Sequence, residues 1–239
     1  MSTSAPSTQG LLLYQMTTLR RIFLEPISAV THIVAGVGAL LGLFLLVALT
    51  YREPAKMVTL AVYGASLVLL FAASSLLHGL KAPRRIREWL NRLDHMAIFL
   101  VIAGTYTPIV FNLFPRHWRW PILVVIWGAA LAGMIVKLTS ARIHGFFKVS
   151  VYLVLGWGGA LPLMLAWQLR PVIPRGGLAL LLLGGLIYSS GFVIYYLRWP
   201  DPWPAVLGHH EIWHLFVIAG SICHFLFMLQ YVVPAAGVG

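Results

Sequence analysis

The chain carries nine histidines and six acidic residues, scattered through 239 mostly apolar positions. Two of the histidines, His210 and His214, are four apart. On a helix that spacing turns the second side chain by about 40° and raises it by one turn, so both imidazoles can face one metal ion. The pair alone fits equally well two histidines at the headgroup level, or two hydrogen-bonded inside a bundle. His78, in another apolar run and at the same depth, supplies a third nitrogen, and Asp94 a carboxylate. Three imidazoles suit zinc first, and three protein ligands leave a fourth position open, the pattern of a catalytic site. Zinc drops the pKa of a bound water toward about 7 and polarises a carbonyl. Asp94 is then placed to act as general base. Its plainer alternatives are a cap on the third helix or a salt bridge to Arg87 or Arg92. Ser74 lies four residues before His78 on the same face, with Ser75 next to it. A hydroxyl there can donate to an oxyanion, or simply to its own helix backbone.

What must position these groups follows from composition. Apolar residues make up 60% of the chain, charged residues 10%, and the mean hydropathy is +0.87. A soluble domain carries about 25% charge, so this chain is solvated by lipid. Seven runs are long enough to cross a bilayer core, near 27–49, 57–80, 93–114, 121–139, 149–168, 176–197 and 209–233. The expected fold is all-α: one integral-membrane bundle of seven helices over residues 23–239. It is preceded by a polar, disordered segment at 1–22, rich in Ser and Thr over its first 19 residues. The first apolar run is too long for a signal-peptide core, and no A-x-A-like site follows it. The lone cysteine, Cys223, excludes a disulfide framework.

The net charge of +11 needs no nucleic acid to explain it. Arg20, Arg21, Lys81, Arg84, Arg85, Arg87, Arg92, Lys137, Arg142, Lys148 and Arg198 fall on one side of the bundle. Arg52, Lys56, Arg116, Arg119, Arg170 and Arg175 fall on the other. The richer side is cytoplasmic by the positive-inside rule, which places the N-terminus inside and the C-terminus outside. The 81–92 segment, taken as a loop, carries most of that bias. Ionisable groups within spans are costly and so are site candidates. All of them except His224 gather toward the cytoplasmic side, with Asp94 opening the third helix. His224 is about 15 Å deeper than His214 and reads as a hydrogen-bonded bundle histidine. His95 points about 100° away from Asp94, toward headgroups or the rim of the site. Glu25 and His32, seven apart, flank the inner mouth, paired with the 81–92 segment or supporting the ligands. The runs Gly36-Val37-Gly38 and Gly156-Trp157-Gly158-Gly159 read as close helix packing.

His210-Glu211-Ile212-Trp213-His214 also matches H-E-x-x-H, in which the glutamate is the base of a zinc protease. The metzincin extension fails, because Val217 and Gly220 stand where Gly and His are needed. An opsin-like reading fails as well, because the last span has no lysine for a Schiff base.

Four motifs in order carry a resemblance: Glu25-Pro26-Ile27-Ser28-Ala29-Val30-Thr31-His32, Ser74-Ser75-Leu76-Leu77-His78, Leu93-Asp94-His95 and the helix-7 segment His210–His214. Together they resemble the haemolysin III branch of the progestin and adipoQ receptor family, which is similar to alkaline ceramidases. The resemblance implies seven helices with the N-terminus inside. It implies zinc on His78, His210 and His214, Asp94 at the metal water and Ser74 beside it. Glu25, Ser28, His32, Ser75 and Glu211 fall at the mouth or behind the ligands. It further implies a hydrolase that opens a lipid amide or ester bond, with membrane lipid as the partner and substrate and the bacterial inner membrane as the setting. Glu211 is not required across that wider family, which weakens the protease reading but leaves a membrane-embedded protease, with Asp94 or His78 as third ligand, as a minor alternative. Two competing functions remain. A pore needs polar groups through the full depth of the bilayer, whereas these crowd the inner half. A non-catalytic sensor would couple the site to the basic 81–92 segment.

Overall fold

The computed structural model describes residues 19, 21–139, 145–158, 173–203 and 206–236. Its described elements are helical: α1 (Pro26–Thr50), α2 (Pro54–Gly79), α3 (Arg84–Leu113), α4 (Arg116–Thr139), α5 (Gly145–Gly158), α6 (Arg175–Leu197) and α7 (His209–Phe227). A π-helical turn, Met228–Val232, extends α7, with Val233 N–H donating to the Met228 carbonyl at 2.9 Å. Six of these, all but α5, are long and apolar enough to cross a membrane. The lipid-facing side of α1 shows why: Val34, Val37, Leu41 and Phe44 are all more than half exposed. The protein is an integral membrane protein.

Local chemistry sets the helix starts. Glu-Pro occurs twice, and each proline takes the first turn of a helix, Pro26 in α1 and Pro54 in α2. Proline suits that position because its missing N–H has no partner there anyway. Most expected spans begin and end within a few residues of the helices. The expected 149–168 span begins in α5, and the rest of it lies outside the described residues. So does most of the N-terminal segment expected to be disordered. Its end is an ordered turn in which Phe23 N–H donates to the Leu19 carbonyl at 2.8 Å.

One boundary changes the reading of the site. The basic segment taken as a loop is helical from Arg84, so α3 begins nine residues before the expected span. Hydropathy detects only the part of a helix that lipid solvates, whereas backbone hydrogen bonding continues into the headgroup layer. Asp94 therefore does not open its helix or cap it. It lies in the third turn, about 15 Å from the start.

Helices α1 and α2 pack antiparallel, with Gly79 against Phe23 and Ala29, Gly36 against Phe71, and Gly64 against Leu43. Helix α2 then packs on α3, where Gly104 meets Ser66, and α6 pairs with α7. Of the glycine runs expected to pack closely, only Gly36 does so. Among the described residues, a side chain at Gly38, Gly156 or Gly158 would meet nothing within 4 Å; Gly159 lies outside them. Close approaches sit instead at Gly64 and Gly104 and at the adjacent pairs Gly176-Gly177 and Gly184-Gly185. At Gly64 an added Cβ would stand 2.7 Å from Leu43 Cδ1 and 3.1 Å from its Cα. Gly64→Val should therefore force α1 from α2 and destabilise the protein by about 1–3 kcal/mol. The readout is a lower thermal midpoint in detergent, and an unchanged midpoint would show that the helices yield without cost.

Candidate metal centre

The centre forms where α2 ends. Its last carbonyls have no partner within the helix, and the chain leading into α1 supplies one. Glu25 N–H donates to the His78 carbonyl at 2.9 Å and Leu24 N–H to that of Gly79 at 3.3 Å. This pins Glu25 beside His78, and the side chain completes the grip. His78 Nδ1–H donates to Glu25 Oε2 at 2.6 Å. With the proton on Nδ1, the lone pair of Nε2 faces the bundle. The Glu25 carboxyl is held below the usual carboxylate range, chiefly by this hydrogen bond and against the opposing effect of partial burial. A depressed carboxyl pKa means that the clasp is fully formed at neutral pH. It weakens only as pH falls through that lowered value.

Opposite His78, α7 presents His210 and His214. The centroids of the three rings form a near-equilateral triangle with sides of 4.7, 4.7 and 4.9 Å. His210 Nε2 stands 3.5 Å from His78 Nε2. One nitrogen from each ring lies within 4.8 Å of the others, a set that could hold a metal ion. His78 and His214 are buried. His32 stacks on His214 with ring centroids 3.9 Å apart and is 3% exposed. It lies behind His214, inside the bundle, and does not flank the mouth. Among the described residues, neither His32 nitrogen has a hydrogen-bond partner, and the same is true of Ser75 Oγ and His214 Nδ1.

The acid stands on the third helix. Asp94 pairs with the Ser74 hydroxyl on α2 and lies near His78 and Lys137. Ser74 is thus turned to the acid, where the expectation had it donate to an oxyanion or a metal-bound water. Lys137 is buried at the end of α4. As a lone lysine in an apolar run it is one of the ionisable groups expected near the cytoplasmic side, but spacing along the chain gives it no partner. Tyr195 on α6, whose ring lies 5.6 Å from His210, had no signal in the sequence. His95 Nδ1–H donates to the Asn91 carbonyl at 2.7 Å, and the same nitrogen stands 3.7 Å from Asp94 Oδ2, so the ring stays beside the acid although it was expected to point away. His224 packs on Gly184 and faces the Leu181 carbonyl, as a bundle histidine does.

Glu211 has a different job from the one its motif suggests. Its Oε2 accepts from Gly208 N–H at 2.9 Å, capping α7, and its Oε1 accepts from Ser28 Oγ–H at 3.2 Å. Both oxygens are committed to joining the starts of α1 and α7, so the geometry does not offer Glu211 as a protease base.

Polar groups are not confined to this end. At the opposite end Lys56, 4% exposed, donates to the carbonyls of Val233 and Ala235 at 3.1 and 2.7 Å and pairs with Glu53 at 2.7 Å. Beside it Asn112 donates to Thr59 Oγ1 at 2.9 Å, and the two residues Lys56 and Asn112 border a cavity of about 210 Å³. Lys56 was expected to be a loop cation. It is a buried clasp on the chain that follows α7, because orphan carbonyls attract a cation.

Comparison with known proteins bears on what this geometry is for. The family model described as haemolysin-III related matches residues 20–225. The chain belongs to that family. Hemolysin-3 of Bacillus cereus is 36% identical over 233 residues, covering 93% of this chain and 98% of the relative. The Hemolysin-3 homolog of Bacillus subtilis is 34% identical over 214 residues, covering 87% and 94%. A more distant relative, the heptahelical transmembrane protein ADIPOR1 of rice, is 28% identical over 161 residues, covering 62% of this chain and 43% of that one. The family placement drawn from the four motifs is borne out.

Two substitutions test the site. Glu25→Ala should weaken transition-metal binding about 10- to 100-fold, and Glu25→Gln, which keeps an acceptor, by less. Chelator competition reads both, and equal affinities would remove the clasp from the site. His32→Phe should leave the fold as stable or make it more so, because a buried unpartnered polar group costs about 1–3 kcal/mol. A large loss of thermal stability would instead show a hidden partner for His32.

Proposed function

We propose that this protein is a zinc-dependent hydrolase of lipid amide or ester bonds, acting from within the membrane. The reading rests on one observation: three histidine nitrogens converge beside a carboxylate that is itself hydrogen-bonded to a serine. Zinc–nitrogen bonds of about 2.0–2.1 Å in a tetrahedron place ligand nitrogens about 3.3 Å apart. The 3.5 Å between His78 Nε2 and His210 Nε2 is close to that spacing. When bound, the metal would polarise the acyl carbonyl and acidify water.

The chain's own residues do the rest. Asp94 takes the proton from the water that attacks the acyl carbon, then returns it to the nitrogen or oxygen that leaves. Ser74 holds the Asp94 carboxylate in line. Glu25 keeps the His78 proton on Nδ1, so that Nε2 can serve as a ligand. His210 and His214 complete the donor set. The acyl chain reaches the site from the bilayer through the sides of the bundle.

The same proposal includes seven spans with the N-terminus in the cytoplasm and residence in the bacterial inner membrane. The charge asymmetry, the start of a further helix at α5 and the heptahelical description of the rice relative support it. Reporter fusions in the 81–83 linker and after α7 should report opposite sides of the membrane; the same side for both would overturn the orientation.

Metal analysis of the purified protein should find stoichiometric zinc, lost in His210→Ala and in His214→Ala. Reconstituted protein should release fatty acid from a panel of lipid amides and esters. Asp94→Ala should retain the metal and lose about 100-fold or more of the rate. No transition metal in the wild type, or full hydrolysis by Asp94→Ala, would defeat the proposal.

A further inference from the structure

The helical extension of α3 shows something that a loop would not. A helix of 30 residues is about 45 Å long, whereas the hydrocarbon core is about 30 Å thick. The turns from Arg84 to Arg92 therefore stand in the headgroup layer. They sort their side chains by face. Leu90 points into the bundle and is buried, whereas Ile86, Trp89 and Leu93, within about 60° of one another, are 49, 48 and 48% exposed. This is an apolar stripe with an aromatic at interface depth, where tryptophan is favoured. Arg85 and Arg92 lie beside it and Arg84 on the far face; the Arg92 guanidinium sits 5.1 Å over the Trp89 ring and donates to the Leu138 carbonyl at 2.8 Å. Only Glu88 opposes them, paired to Arg84 at 2.9 Å. A basic stripe next to an apolar one matches the phosphates and upper acyl chains of an anionic leaflet.

The third face leads to the site. Arg87 stands 3.9 Å from Glu25 Oε1, while Glu25 Oε2 holds His78 Nδ1 at 2.6 Å. The outer contact is at the limit of an ion pair and half open to solvent. The inner one is short and leads to a buried ring. A phosphate offers arginine a better, two-pronged partner than a distant carboxylate oxygen. A headgroup that engages Arg87 draws it from Glu25 and leaves that carboxylate to His78 alone.

We propose that the first turns of α3 bind anionic phospholipid headgroups of the surrounding leaflet, and that their occupancy is transmitted to the histidine cluster through Arg87 and Glu25. Arg87 is a positioning residue, acting on His78 only through Glu25. The transmission rests on the metal-centre reading for its purpose, but the lipid surface and the shift at His78 do not need a metal.

The test uses full-length, metal-free protein in nanodiscs of phosphatidylcholine with or without phosphatidylglycerol. Native mass spectrometry of the released protein should show preferential retention of phosphatidylglycerol. That preference should fall about five-fold for each arginine removed in Arg84→Gln and Arg85→Gln, and survive in Arg84→Lys and Arg85→Lys. Imidazole nitrogen resonances, with His78 assigned through His78→Gln, should move when phosphatidylglycerol is present. Arg87→Gln should abolish that movement while costing no more lipid preference than the other single variants. Equal retention of the two lipids overturns the surface. Retention with an unmoved His78 signal, or a shift that persists in Arg87→Gln, overturns the relay. A relay that works in a protein unable to bind zinc would leave this inference standing and remove the hydrolase.

Discussion

A polar group inside a membrane must find its partner within the protein, because no water is there to supply one. At His78 this constraint arranges everything around it. The ring needs an acceptor for its N–H, Glu25 is that acceptor, and the backbone of the same residue satisfies the carbonyl of His78. One residue thus ends α2, starts α1 and chooses the nitrogen that faces α7. The cluster is therefore built from the termini of helices, where backbone groups are unpaired and charged side chains are cheapest to keep.

The same constraint recurs at each place where the bundle closes. Glu211 caps α7 and reaches Ser28 on α1, which sets the two helices that carry His214 and His32 against each other. Lys56 closes the far end on the carbonyls after α7. Each of these charged residues is a clasp between elements remote in the chain. Among the described residues, the buried polar groups without partners are on His32, Ser75, His214 and Tyr63, and the first three lie around the histidine cluster. Unpaired buried polar atoms are where a fold accepts a stability cost, and such costs gather at functional sites.

Much of this was legible in advance. Four motifs, each short, marked His78, Asp94, His210 and His214, and depth along apolar runs placed them at one level. That argument works because a span's sequence position is also its depth. It could not find the direction of a side chain. Glu211 matched a catalytic pattern and proved to be a cap, because the motif records spacing while the role depends on which N–H lies nearest. Lys56 and Lys137 were counted as charges on a side of the membrane, and both are buried among carbonyls or acids. The 81–92 segment reads as a loop because hydropathy stops where lipid stops, although the helix does not.

By itself the sequence determined that the protein lives in lipid, roughly where most of its helices run, and which residue types could bind a metal. Those follow from composition and from the period of the α-helix, both local properties. Only the tertiary structure decided that Glu25 holds His78, that Ser74 serves Asp94, that His32 lies behind His214, and that Arg87 leads from the headgroups to the cluster. These are contacts between helices, set by how their faces turn toward one another. A rotation of a few tens of degrees, invisible to spacing along one chain, would have undone them all.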